Sequence, residues 1–227
     1  MANSTTTVAA MDFEQARFNM VEQQIRPWDV LDPVVLGLMA AVKREAFVPP
    51  AYRAIAFADL EIPLSAGARM WPPRVEAKLL QELALRKVDR VLEIGTGSGY
   101  FAALLGAMAA DVLSVEIDRA LVELARKNLQ TNGVTNVTVE LGDGAKGWAA
   151  KAPYDVIVIG GAVPLVPSEL LAQLKVGGRL VAIVGEAPVM NAQVITQTAE
   201  GVFSTVNVFE TVAEPLKNIK PAPSFTF

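Results

Sequence analysis

Residues 88–100 read Val88-Asp89-Arg90-Val91-Leu92-Glu93-Ile94-Gly95-Thr96-Gly97-Ser98-Gly99-Tyr100, a short apolar run that ends in a turn with glycine at every second position. Residues 101–110, rich in Ala and Leu, follow as a predicted helix. Strand, glycine turn and helix in this order open a nucleotide-binding βαβ unit. Glycine in such a turn adopts backbone angles that a side chain forbids and lets a ligand approach the main chain. The helix N-terminus is expected to offer free N–H groups to a negatively charged part of that ligand.

The spacing separates ligand classes. A dinucleotide fingerprint places its third glycine three residues after the second, and that position here is Tyr100. Gly99 instead lies two after Gly97, and Glu93 two before Gly95. The form Glu-x-Gly-x-Gly-x-Gly points to S-adenosylmethionine, with S-adenosylhomocysteine as product, and away from NAD. The next apolar run, 112–115, ends in Glu116-Ile117-Asp118, which puts an acid at the second strand tip, where it accepts both ribose hydroxyls. After the third strand Asp143 sits between two glycines, placed either to face an adenine amine or to close an ordinary turn. The expected cofactor-binding set is Glu93, Gly95, Thr96, Gly97, Ser98, Gly99, Glu116, Ile117, Asp143 and Gly144.

The remaining chain alternates in the same way. Asp12 is expected to cap a helix over 13–25 with Phe13, Phe18, Val21 and Ile25 near one face. Asp32-Pro33 opens a second helix to about 44, apolar round most of its surface and hence buried. Residues 51–73 hold no period and carry Pro63, Gly67, Pro72 and Pro73. An aperiodic but apolar stretch of this length points to a functional loop, and 57–73 is read here as a cap over the transferred methyl group, supported by the N-terminal helices. Helices are predicted at 74–85, at 119–132 behind a capping Asp118, and at 167–174. Strands are predicted at 136–141, 154–159 and 179–184. Residues 192–198 and 202–209 flank the turn signal Glu200-Gly201 and form a hairpin.

The expected fold is α/β and Rossmann-like: a mostly parallel sheet with helices on both faces, an N-terminal helical cap and C-terminal antiparallel strands. One methyltransferase domain is expected over 11–227, behind a disordered tail at 1–10. Within it, 11–75 is the helical and cap region, 76–185 the nucleotide-binding core, and 186–227 the C-terminal strands and tail.

Composition removes several chemistries. The 227 residues include no His and no Cys, so the usual general base, the thiolate nucleophile and the zinc–cysteine site are absent, and metal-independent chemistry is expected. The net charge of −4, with Lys and Arg scattered, argues against a nucleic-acid surface. No apolar run is long enough to span a membrane and the start does not read as a signal peptide, so a cytoplasmic location is expected.

Between about 18 and 184 the chain resembles the protein-L-isoaspartate O-methyltransferase family. The resemblance is carried by Met20-Val21-Glu22-Gln23-Gln24-Ile25, Arg44-Glu45-Ala46-Phe47-Val48-Pro49, Leu92 through Tyr100, Gly142-Asp143-Gly144, Ala152-Pro153-Tyr154-Asp155 and Gly177-Gly178-Arg179-Leu180-Val181. The glycine motif is shared by many methyltransferases, whereas Arg-Glu-x-Phe-Val-Pro is more particular to this family. The resemblance implies S-adenosylmethionine as methyl donor and a carboxylate on damaged aspartyl residues as acceptor. Such a nucleophile suits a chain without histidine, because a carboxyl of pKa ~4 is already ionised at neutral pH.

The chain departs from the family on the acceptor side. Where the family carries Gly-x-Thr-apolar-Ser-x-Pro, this chain reads Gly67-Ala68-Arg69-Met70-Trp71-Pro72-Pro73. Arg69, Met70 and Trp71 are therefore the acceptor-pocket candidates. The indole is expected either to occupy space beside the methyl group, with Arg69 a positive fork for a carboxylate and weak turnover of standard isoaspartyl peptides, or to pack into the core with the loop on another path. Three readings stand at this point: a protein-carboxyl methyltransferase, a same-fold enzyme for a small-molecule or other acceptor, and a non-catalytic cofactor binder.

Overall fold

In a computed structural model, which describes residues 12–219, the chain begins with α1 (Phe13–Met20). The expected tail at 1–10 and the last part of the C-terminal region, 220–227, lie outside the described residues. Asp12 caps α1 by accepting from the amides of Glu14 and Gln15, and a π-helical turn at Val21–Ile25 continues it to the expected end. Its inward face differs from expectation. Arg17 and Met20 are buried, and Phe18 is 59% exposed. The inward position goes to Arg17 because its guanidinium finds the buried Glu45 carboxylate at 2.5 Å.

Asp32 caps α2 (Pro33–Ala41), which stops short of residue 44 because Arg44 turns into the core from a separate turn at Arg44–Ala46. The helix is one-sided rather than buried all round: Val35, Leu36 and Met39 face inward, and Val34 is exposed. The aperiodic segment contains a small antiparallel hairpin of β1 (Ile62–Pro63) and β2 (Arg69–Met70). Then come α3 (Pro73–Leu83), β3 (Arg90–Ile94), α4 (Tyr100–Met108), β4 (Asp111–Glu116) and α5 (Arg119–Thr131), the last capped by Asp118. The chain continues through β5 (Val137–Leu141), β6 (Tyr154–Val163), α6 (Ser168–Leu171), β7 (Leu174–Glu186), β8 (Val189–Ala199) and β9 (Val202–Glu210). Because β7 starts at Leu174, α6 is only four residues long, and Gly177-Gly178 lies inside the strand instead of ending the helix.

The main sheet has seven strands in the order β5-β4-β3-β6-β7-β8-β9. Pairings from β5 through β7 are parallel, β7-β8 is antiparallel, and β8-β9 is antiparallel as the hairpin signal implied. The chain moves outward from β3 to β5 and then returns to β6 on the other side of β3. This reversal leaves a crevice outside the carboxyl ends of β3 and β6, the place where open α/β sheets bind ligands. Alternation along β3 feeds two cores. Val91 faces the larger one, shared with the N-terminal helices, α3 and α4, while Leu92 and Ile94 face the other, with Tyr154, Leu170 and Leu180. Among the described residues no helix is long and apolar enough to cross a membrane.

Candidate active site

A cleft of about 320 Å³ opens at this crevice. Of the expected cofactor set, Gly95, Gly97, Glu116, Ile117, Asp143 and Gly144 line it, as do Arg69 and Trp71 from the acceptor set. The three turn glycines have φ of 92°, 55° and 83°, angles that side chains rarely adopt. They do different work. Gly95 and Gly97 present backbone to the cleft, while Gly99 faces α5, where an added Cβ would sit 3.3 Å from Ala125. Ser98 is buried, and its carbonyl accepts from Asn128 Nδ2 at 2.9 Å. The first turn of α4 does not line the cleft, and the side chains of Tyr100, Phe101 and Ala102 are buried in the core.

Glu116 ends β4 with its carboxylate under the glycine turn. Oε2 accepts from Gly97 N and Oε1 from Asp118 N, both at 3.0 Å. A carboxylate has about four acceptor sites, so each oxygen keeps capacity for a ligand hydroxyl. Asp143 uses Oδ1 to accept from Ala145 N at 2.9 Å, closing its own turn, and Oδ2 to accept from Asn218 Nδ2 at 2.9 Å.

Glu93 is not a cleft residue. It shares the face of Val91 and points into the larger core, 1% exposed, where Ser114 Oγ lies 2.5 Å from its Oε2 and Thr96 Oγ1 lies 2.5 Å from Ser114 Oγ. Thr96 is thus turned inward with it. Burial pushes the Glu93 carboxyl up to about 8, against the lowering effect of the Ser114 hydrogen bond and with the charges of Glu116 and Glu76 adding to the rise. The period-2 alternation of a strand contained this outcome, since Ile94, not Glu93, faces the cleft side.

On the acceptor side, the 61–71 segment forms one wall. Leu64 leans over the turn, with its Cδ1 3.3 Å from where a Cβ on Gly97 would be. Trp71 lines the cleft but does not fill it. The indole is 8% exposed and packs edge-on against Phe101, with ring centroids 5.8 Å apart. Met70 points the other way, into the core. Arg69 is not a free fork, because its Nε lies 3.3 Å from Glu214 Oε1 and 3.6 Å from Glu61 Oε2.

Two parts of the cleft were missed from sequence. Gly160 and Gly161, read as the end of a strand, sit where β6 shifts register against β7 and form the opposite wall. A Cβ on Gly160 would stand 2.7 Å from the Gly95 carbonyl oxygen, so only glycine lets the two strand ends come this close. The other part is the strap after β9. Ala162 N donates to Glu214 O and Leu216 N to Ala162 O, each at 2.8 Å, which brings Glu214, Pro215, Leu216 and Lys217 over the cleft. A Gly-Gly pair late in a strand was the only signal for the first, and nothing local marked the second.

The residues present fit a nucleoside cofactor: a glycine cradle that side chains would fill, two strand-tip acids, and an exposed Ile117 beside Glu116. The family model for protein-L-isoaspartate(D-aspartate) O-methyltransferase matches residues 15–218. A protein-L-isoaspartate O-methyltransferase from Koribacter versatilis is 41% identical over 187 residues, covering 82% of this chain and 84% of its own. Its counterpart from Rhodopseudomonas palustris is 46% identical over 166 residues, covering 73% and 76%. A solved protein-L-isoaspartate O-methyltransferase superposes with TM-score 0.76 at 27% identity, over 88% of this chain and 65% of that one. A Plasmodium falciparum structure in complex with S-adenosyl-L-homocysteine shares the fold, with TM-score 0.76 at 18% identity over 92% and 99%. The chain belongs to the protein-L-isoaspartate(D-aspartate) O-methyltransferase family.

Proposed function

We propose that this enzyme methylates the free carboxylate of isoaspartyl residues in proteins. The observation that carries the reading is the cleft itself, which sets a glycine cradle and two strand-tip acids on one side and Ala66, Ala68, Arg69 and Trp71 on the other. S-adenosylmethionine is the methyl donor, and it supplies a methyl group on a sulfonium cation to an attacking carboxylate. Gly95, Gly97 and Gly144 would hold it through close backbone approach, Glu116 through the ribose hydroxyls, Asp143 through the adenine amine, and Ile117 through the base face.

The acceptor is already an anion, and charge separation falls as it meets a cation, so the chain needs no general base. Alignment and exclusion of water carry the rate. Leu64, Trp71 and the strap from Glu214 to Leu216 do the excluding. Residues 11–227 act as one methyltransferase unit in this reading, in the cytoplasm, which suits a chain without cysteine. A small-molecule acceptor or a non-catalytic role is not favoured for a chain matched to this family over 15–218.

The test is transfer of labelled methyl from S-adenosylmethionine to an isoaspartyl peptide and to the same peptide with a normal aspartyl linkage. Base-labile incorporation into the isoaspartyl peptide alone is expected. Equal labelling of both peptides, or none of either by protein that binds S-adenosylhomocysteine, would overturn the reading.

A further inference from the structure

Arg69 joins two walls of the cleft. Its Nε contacts Glu61, which directly precedes β1, and Glu214, which belongs to the strap. The separations of 3.6 and 3.3 Å are ion-pair distances beyond good hydrogen bonds, and neither contact uses the two-pronged grip that binds carboxylates most firmly. All three side chains line the cleft, with Arg69 41% and Glu214 56% exposed. Two acids share one arginine. Burial raises the Glu61 carboxyl, Arg69 lowers it, and the charge of Glu214 raises it further.

Resting on the isoaspartyl reading, we propose that Arg69 recognises the acceptor carboxylate, with Glu61 and Glu214 as its resident ligands until the acceptor displaces them. The exchange is a side-chain event. The backbone of Glu214 stays tied through Ala162 N, so its carboxylate can swing away without unseating the strap. The guanidinium then presents its fork to the incoming carboxylate, which a carboxamide would not attract. Once displaced, Glu61 and Glu214 are two unpaired acids at the cleft mouth. They favour acceptors with Lys or Arg beside the isoaspartyl residue and disfavour those with Asp or Glu there.

The test is steady-state kinetics with two isoaspartyl peptides, one flanked by lysine and one by glutamate, together with calorimetry of S-adenosylhomocysteine. In the unmodified protein the lysine-flanked peptide should have the lower KM. Arg69→Gln should raise KM for both peptides by roughly tenfold or more with cofactor affinity unchanged, and Arg69→Lys should recover part of the loss. Glu214→Gln should shrink the difference between the peptides. An unchanged KM in Arg69→Gln, an equal loss of cofactor affinity in that variant, or no flank preference in the unmodified protein overturns the proposal alone. Absence of turnover in the unmodified protein overturns the isoaspartyl reading and the role of Arg69 with it.

Discussion

Arg44 Nη2 donates a hydrogen bond at 2.7 Å to the carbonyl oxygen of Trp71, 27 positions away. The same guanidinium pairs with Glu76 on α3, donates from Nε to Ala56 O at 2.9 Å, and lies over the Tyr100 ring at 4.9 Å. One fully buried side chain therefore sets the path of the acceptor-side wall against α3 and the helix that follows the glycine turn. The Arg-Glu-x-Phe-Val-Pro segment acts on the cleft through this support without lining it.

Arg44→Ala leaves the Glu76 carboxylate buried and unpaired and should cost about 3–5 kcal/mol, read from the denaturant midpoint. A simple ion pair could be replaced by apolar residues with little loss. Here Arg44→Met with Glu76→Leu should remain well below the unmodified protein, because the carbonyls of Ala56 and Trp71 lose their donor, at about 1–3 kcal/mol for each one left buried. Full recovery in the double variant would mean that those two bonds do not hold the wall.

Gly160→Ala should weaken S-adenosylhomocysteine binding by roughly tenfold or more, about 1.4 kcal/mol. The new methyl would stand 2.7 Å from Gly95 O and 2.8 Å from Ile94 O, both backbone atoms that cannot rotate away. Calorimetry measures the loss, and an unchanged affinity would place the cradle elsewhere.

Glu116→Ala should also weaken that ligand, by about 1.5–3 kcal/mol, the range for hydrogen bonds to a charged group. The side chain further holds the Gly97 amide, so Gly97 should gain hydrogen exchange in the variant. NAD should give no heat with either protein.

The parts legible in the sequence are those that local chemistry decides. The glycine turn, the caps at Asp12, Asp32 and Asp118, and the hairpin at Glu200-Gly201 each depend on residues a few positions apart. What stayed hidden depends on distant contacts. Phe18 faces outward because Arg17 finds Glu45, and α2 ends early because Arg44 is drawn to Glu76. The strap reaches the cleft through hydrogen bonds to Ala162, far back in sequence. Glu93 is the instructive case. The motif was read correctly as a pattern, but the residue was given a ligand role that its side of the strand does not allow.

The buried Glu93 should leave a mark on stability. Its folded value of about 8 exceeds the ordinary 4.5, so between these pH values the native state holds more protons than the unfolded chain. The contribution is complete below about 4.5 and is lost as pH rises to about 8. Glu93→Gln keeps the shape without the charge and removes this term. Glu76, raised to about 7 chiefly by burial, acts with the same sign in both proteins and enters the difference only through the charge it adds at Glu93. The gap in favour of the variant should widen with pH, by at most about 1.4 kcal/mol per unit. Denaturant midpoints at pH 5, 6.5 and 8 measure it, and parallel curves would rule the effect out.

Trp71 decides between a pocket remodelled for another acceptor and a pocket with a different wall. The sequence alone left open an indole filling space beside the methyl group or packing into the core. In the structure that ring is taken up by Phe101, and its backbone is fixed by Arg44. Trp71→Ser, which restores the family's residue, should then lower stability by about 3–5 kcal/mol, as expected for removing a buried Trp. It should bring no gain in turnover of isoaspartyl peptide, even together with Arg69→Thr. Trp71→Phe keeps most of the packing and should keep most of the activity. Thermal unfolding and labelled methyl transfer on the three variants separate the cases. A rise in kcat/KM in Trp71→Ser at a temperature where it is still folded would show that the ring obstructs the acceptor after all.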